Sequence, residues 1–216
     1  MINMGYDCET LKVVYQEYQR IKEHLGHKPN RVEMFRHIDN NLYQKIRINS
    51  KLNIFRNYLG FLDKFGELPK EEKEVQEIAG DFLNMMERTR MTKTYKIPLL
   101  KSFIRNNHIS LKCGEEDIYR SFKEFYDNPE NSLDMERHER TKNFKKWDKW
   151  KYIKLAKENP IRFLMKTESE YFKMDGNYFC LTEQLKPVVD NKIFVDNYKD
   201  ILEFRRLEYF RHHRLF

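Results

Sequence analysis

Between Arg137 and Arg162 the chain carries ten Lys or Arg, at 137, 140, 142, 145, 146, 149, 151, 154, 157 and 162. Only three acids, at 139, 148 and 158, oppose them, and Phe144, Trp147, Trp150 and Tyr152 are interleaved. Cations neutralise phosphates and release their counterions, while aromatic faces accept stacked bases, so this mixture suits a nucleic-acid surface. The candidates are Lys145, Lys146, Lys149 and Lys151 for phosphate, with Trp147 and Trp150 for stacking. The same residues also suit a helix with a wet lysine face and an aromatic core face, and aromatics around most of its circumference favour partial burial.

Two smaller basic groups join them. Lys93, Lys96, Lys101 and Arg105 lead into a helical pattern. Lys28 and Arg31 flank the start of another, in LGHKPNRVEMF, where free backbone amides of a first turn favour phosphate. Arg31 is expected to be exposed there.

Signatures of catalysis are absent. There is no GxxxxGK[ST], GxGxxG, HExxH or GxSxG, and seven glycines are few for a nucleotide-binding α/β enzyme. The seven histidines are scattered, His24 and His27 beside the Gly26 corner and His212 and His213 near the end, at no metal-ligand spacing. Glu168, Glu170 and Lys173 come nearest to a nuclease set but lack a partner acid at a diagnostic spacing. Cys8, Cys113 and Cys180 are odd in number and far apart, which argues against a disulfide framework or a zinc site and for a reducing compartment. No catalytic residue, metal or cofactor is expected.

The elements that position these residues read as mainly α. In 216 residues, 40% hydrophobic and 14% aromatic, there is material for one large core or two small ones. The 35% charged fraction leaves a net +7, which permits an anionic partner and equally serves solubility. Apolar spacing predicts a helix over Glu9 to Leu25. Gly26 suits the left-handed position after it, Pro29 cannot extend it, and Asn30 with Glu33 forms a capping box that opens a helix over Arg31 to Ile38. Asn40 and Asn41 interrupt the pattern, Leu52 to Phe65 resumes it, and GELP at Gly66 to Pro69 ends it before a helix to about Arg90. Residues 1–90 therefore form a helical, helix-turn-helix-like subdomain.

Met91 to Tyr95, MTKTY, marks the junction with 91–216. Here the pattern predicts helices over Tyr95 to Asn106 and from Glu115 to about Asp127, then a loop at NPENS (Asn128 to Ser132). A basic and aromatic stretch through Asn143 to Asn159 should end at Pro160, which should start a short helix. Asp175-Gly176 between aromatic runs predicts a hairpin over 170–181 with a type I′ turn, and a long helix closes the chain from about Lys192 to Arg211. Helices followed by a β-hairpin give a winged-helix-like α+β subdomain, in which a helix enters the major groove and the wing touches backbone, though such modules also serve as protein contacts. No apolar run approaches the roughly 18 residues of a membrane span, and MINMGYDCET is no signal peptide, so a soluble cytoplasmic protein, or a piece of one, is expected.

The blocks LKVVYQEYQRIKEHLGHKPNRVEMF, IFRNYLGFLDKFGEL, MTKTYKIPLLKSFI, NPIRFL, EYFKMDGNYFCL and FRRLEYF, in this order, resemble the C-terminal accessory region of bacterial superfamily 2 DEAD/DEAH helicases associated with restriction or phage defence. The resemblance implies an accessory region behind a motor. Neither the phosphate loop nor a DExx box occurs in this chain, and no functional residue carries over. The expectation is a non-catalytic module that binds DNA or RNA beside helicase motor domains of the parent chain. The alternative is a protein-interaction or dimerisation module that docks on that motor.

Overall fold

The protein is described by a computed structural model covering residues 4–213, with side chains from residue 9 onward. It is mainly helical with two small antiparallel sheets. The chain divides into two compact units, Met1–Arg88 and Thr89–Phe216, so the division falls just before the polar Met91 to Tyr95 stretch. The side chain of Cys8 lies outside the described residues; Cys113 and Cys180 are free thiols.

The first unit is built from α1 (Met4–Leu25), α2 (Arg31–His37), α3 (Asn40–Arg47), a 3-10 turn at Ile54–Arg56, α4 (Tyr58–Lys64) and α5 (Lys70–Arg88). Gly26 takes φ +73 after α1, a conformation with little cost only for glycine. The Asn30 side chain accepts from the Glu33 amide at 2.9 Å while the Asn30 amide donates to Glu33 at 2.9 Å, which is the capping box in both directions. Two sequence expectations fail here. Asn40 and Asn41 open a helix rather than break one, because the Asp39 carboxylate caps it through the Leu42 amide at 2.9 Å and Tyr43 and Ile46 bury its inner face. The Leu52 to Phe65 pattern is not one helix: Asn53 and Asn57 each accept from a following amide, at Phe55 and Gly60, and restart the chain twice. Aromatics fill the core, with Tyr15 stacked on Phe65 at 4.1 Å and Phe35 edge-on to Tyr43 and Phe55.

The second unit runs α6 (Lys96–Lys101), β1 (Ile104–Arg105), β2 (His108–Ile109), β3 (Lys112–Cys113), α7 (Glu115–Asp127) and α8 (Pro129–Glu136). After a 3-10 turn at Phe144–Lys146 come α9 (Lys149–Ala156), a π-helical segment Lys157–Ile161, α10 (Arg162–Thr167), β4 (Phe172–Asp175), β5 (Tyr178–Leu181), a 3-10 turn at Glu183–Leu185, and α11 (Lys192–His212).

The expected helix over Tyr95 to Asn106 stops at Lys101, and the chain turns back at Asn106, φ +47, to pair β1 with β2. NPENS is not a loop: Pro129 occupies the first helical turn, where its missing N–H costs nothing, and Asn128 caps it through the Glu130 amide at 2.9 Å. The basic stretch is not one helix either, since Trp147 is extended and Asp148 caps a fresh start through the Lys151 amide at 3.0 Å. Pro160 does not end the helix that contains it. The backbone widens into the π segment around it, which accommodates a residue that cannot donate its N–H, and continues into α10.

β3 is a strand that the sequence reading missed. It pairs with β5, giving the order β3-β5-β4, with Cys113 opposite Phe179 and Phe172 opposite Leu181. The hairpin itself lies within 170–181 as expected, but its turn differs. Asp175 pairs with Tyr178, so Gly176 and Asn177 are the central residues, and only Gly176, φ +56, is left-handed. One positive φ at the first central position is the type II′ pattern rather than type I′. Phe172 and Phe179 stack at 5.3 Å beneath the sheet, with Phe103 5.5 Å from Phe179. α11 joins this core, its Tyr198 hydroxyl donating to the Leu100 carbonyl at 2.8 Å.

Candidate nucleic-acid interface

The charge is divided unevenly between the two units. Residues 1–88 hold 14 Lys and Arg and 14 Asp and Glu; residues 89–216 hold 27 and 20, so the whole +7 belongs to the second unit. Part of it lines an open groove of about 850 Å³ bordered by Lys93, Tyr95, Arg140, Trp147, Lys151, Lys154, Asn159 and Arg162, with Glu139 and Glu158 as its acids. The turn at His138 to Thr141, the extended Trp147, α9, the π segment and the first residue of α10 form its walls together with Lys93 and Tyr95. Its basic residues are placed by α9 and its neighbours because the Asp148 cap starts a new helix at Lys149, whose buried face is Tyr152, Ile153 and Ala156. Lys151 and Lys154 are exposed.

Five of the ten basic residues of this run have intramolecular carboxylate partners: Lys142 with Glu139, Lys145 with Glu136 at 2.9 Å, Lys149 with Glu116, Lys154 with Glu158 at 3.8 Å and Lys157 with Glu115 at 2.5 Å. Arg137, Arg140, Lys146, Lys151 and Arg162 are exposed and make no ion pair among the described residues. Hydrogen bonding to Glu116 raises the Lys149 ammonium and hydrogen bonding to Lys145 lowers the Glu136 carboxyl, so both surface pairs are held in charged form. An incoming phosphate must compete with those carboxylates at Lys145 and Lys149, but not at Lys146 or Lys151.

The two tryptophans differ. Trp147 is half-buried, edge-on to Tyr152 at 5.5 Å, and lines the groove. Trp150 is 64% exposed, with the Lys149 ammonium 5.8 Å from its ring.

The second basic group is split. Lys93 and Lys96 line a smaller pocket of about 320 Å³ that shares Lys93, Tyr95 and Asn159 with the groove. Lys96 donates to the Thr89 hydroxyl at 2.7 Å, and burial lowers its ammonium from the ordinary value; Lys93 lies 3.4 Å from Asp134. Burial pushes the Tyr95 hydroxyl up to about 12, and the buried Tyr95 lines both cavities. Lys101 and Arg105 line a separate cavity of about 330 Å³. Arg105 is committed there, 2.6 Å from Asp117 and donating to the Ser102 carbonyl at 2.6 Å, while Lys101 lies 5.8 Å from the Phe125 ring.

Arg31 overturns its expectation. It is 2% exposed, its Nε 2.5 Å from Glu87 Oε1 and its guanidinium 5.2 Å from the Tyr58 ring. The capped corner turns α2 inward, so the first-turn arginine is core. Lys28 is half-buried and paired with Glu72. Neither is available to a phosphate in this arrangement.

Among the described residues no group of three His, Cys, Asp or Glu could hold a metal ion, and no helix is long and apolar enough to cross a membrane. No protein-family model, curated protein or solved structure matches this chain.

Tyr95, Asn159 and Phe163 are cavity residues that sequence reasoning missed. Pro160 was the available signal: a proline inside a helical pattern disturbs the backbone ladder, here as a π segment, and π turns cluster at functional sites.

Proposed function

We propose that the chain is a non-catalytic nucleic-acid-binding module whose second unit makes the contact. One observation carries this reading. The entire net charge lies in the unit that also builds the groove, and five of the ten cations in Arg137 to Arg162 have no ion pair among the described residues. Unpaired, exposed cations beside an accessible aromatic ring are what phosphate binding and base stacking need.

The order β3-β5-β4 supports a winged-helix-like arrangement for this unit. One short strand precedes the helices, and the hairpin that follows them places its second strand in the middle of the sheet. In that arrangement α10, directly before the hairpin, is the helix offered to the nucleic acid, with exposed Arg162, Phe163 and Lys166, and the Gly176 turn with exposed Lys173 is the wing. Together with the ordered resemblance of its blocks, this supports reading the chain as an accessory region of a superfamily 2 helicase that engages DNA or RNA beside the motor domains.

Anisotropy titration of a fluorescein-labelled 20-mer at 50 and 200 mM salt tests the reading. Binding that weakens steeply between the two is expected; no binding at micromolar protein, or binding indifferent to salt, overturns it.

The first unit supports a second role. It has no net charge and exposes Val13, Ile78 and Ile48, the last at 79%. These residues suit docking on protein, here the motor, and pull-down of motor domains by the chain with and without Ile48→Asp measures it.

A further inference from the structure

We infer that the 320 Å³ pocket beside the basic groove holds a single unpaired nucleobase, so that the module prefers nucleic acid with an extruded or unpaired base to a fully paired duplex. The inference rests on the nucleic-acid reading above and deepens it.

The pocket has what an isolated base requires. Phe163 is 42% exposed although it is a large apolar ring, and it lines the wall, offering a face for stacking. Tyr95 supplies a second aromatic wall. Asn159 contributes a carboxamide, an NH2 donor group and a carbonyl acceptor, that has no hydrogen-bond partner among the described residues, and Glu168, whose charge acts on Lys96 in the same pocket, adds an acceptor. A carboxamide of this kind matches the donor and acceptor edge of a base.

Continuity with the groove supplies the rest. Lys93, Tyr95 and Asn159 border both cavities, and Arg162, adjacent to Phe163 with its guanidinium 5.1 Å from that ring, lines the groove side. A backbone following Arg140, Lys151 and Arg162 would therefore pass the pocket mouth with its phosphates neutralised. Bases in a duplex have their faces covered by neighbours and their edges occupied by partners, so only an unpaired base can use Phe163 and Asn159 together. The cost of unstacking is smallest where the base is already unpaired, which is the source of the selectivity.

The test compares three labelled 20-mers: a paired duplex, the same duplex with one unpaired adenine, and the single strand. The bulged duplex and the single strand should bind about tenfold tighter than the paired duplex, the scale of one base stacked on an aromatic ring. Phe163→Ala and Asn159→Ala should erase that difference, and Phe163→Tyr, which keeps the ring, should preserve it. Equal affinity for bulged and paired duplex, or a preference that survives Phe163→Ala, overturns the inference while leaving the nucleic-acid reading in place. Absence of salt-sensitive binding to all three overturns both.

Discussion

Arg31 and Glu87, 56 residues apart in sequence, form an ion pair 2.5 Å long with both side chains 2% exposed. Around it the Tyr58 hydroxyl donates to the Pro29 carbonyl at 2.7 Å, and Arg56 donates to the Glu87 carbonyl at 2.5 Å. The pair thus ties the start of α2 to the end of α5 and to the turn before α4. Burial pushes the Glu87 carboxyl up and the Arg31 charge opposes that push. Removing the arginine strands a carboxylate in the core.

Arg31→Ala should therefore destabilise the first unit by about 3–5 kcal/mol, the cost typical of breaking a buried pair from one side. Urea unfolding measures it. The double change Arg31→Met with Glu87→Leu should recover most of the loss, because it removes both buried charges. A loss below about 1 kcal/mol for Arg31→Ala would mean that the pair is not buried in solution.

Asn30→Ala removes one half of the capping box and should cost about 1 kcal/mol, whereas Asn30→Asp should be nearly neutral because its carboxylate accepts from the same Glu33 amide. Melting temperatures of the three proteins compare them directly.

Glu67 gives the first unit a pH dependence of defined sign. It accepts from the Tyr15 and Tyr18 hydroxyls at 3.0 and 3.3 Å and pairs with Lys22 at 2.6 Å. Burial raises its carboxyl, but the Lys22 and tyrosine hydrogen bonds outweigh that and lower it below its ordinary value of 4.5. A carboxyl lowered by folding stabilises above its unfolded value and loses that contribution as pH falls through its folded one. The stability gap between the wild type and Glu67→Gln should be constant above pH 5 or so and close on acidification below the ordinary value. A gap that widened in acid would reverse the assignment.

Lys146→Glu and Lys151→Glu act on cations with no ion pair among the described residues, so each should weaken nucleic-acid binding and lower the slope of log affinity against log salt by about one. Lys149→Glu also breaks the contact with Glu116, and Arg105→Glu breaks the Asp117 pair, so these two should lose stability as well. Circular dichroism melts beside the titrations separate the two kinds of loss.

Much of the local architecture was legible because it is written in short-range chemistry. The capping box at Asn30, the glycine after α1, α7 behind Gly114 and the closing α11 all follow from residues within a turn or two of the feature. Where the reading failed, short polar side chains were usually responsible. Asp39, Asn53, Asn57, Asn128 and Asp148 each capture a nearby amide and restart the chain, and the same residue types equally well signal a loop. Strands of two residues, such as β3, carry too little pattern to announce themselves; they exist because β5 offers an edge.

By itself the sequence determined the helical character, the hairpin and the basic aromatic run, since periodicity, turn residues and composition are properties of neighbours along the chain. Only tertiary structure decided which charges are free. Arg31 went into the core because Glu87 was waiting 56 residues away, and Arg105 was claimed by Asp117, while Lys151 was left in solvent and Phe163 was brought to the wall of the cavity next to the groove. A cation's availability depends on what folding places beside it, and no spacing along the chain records that.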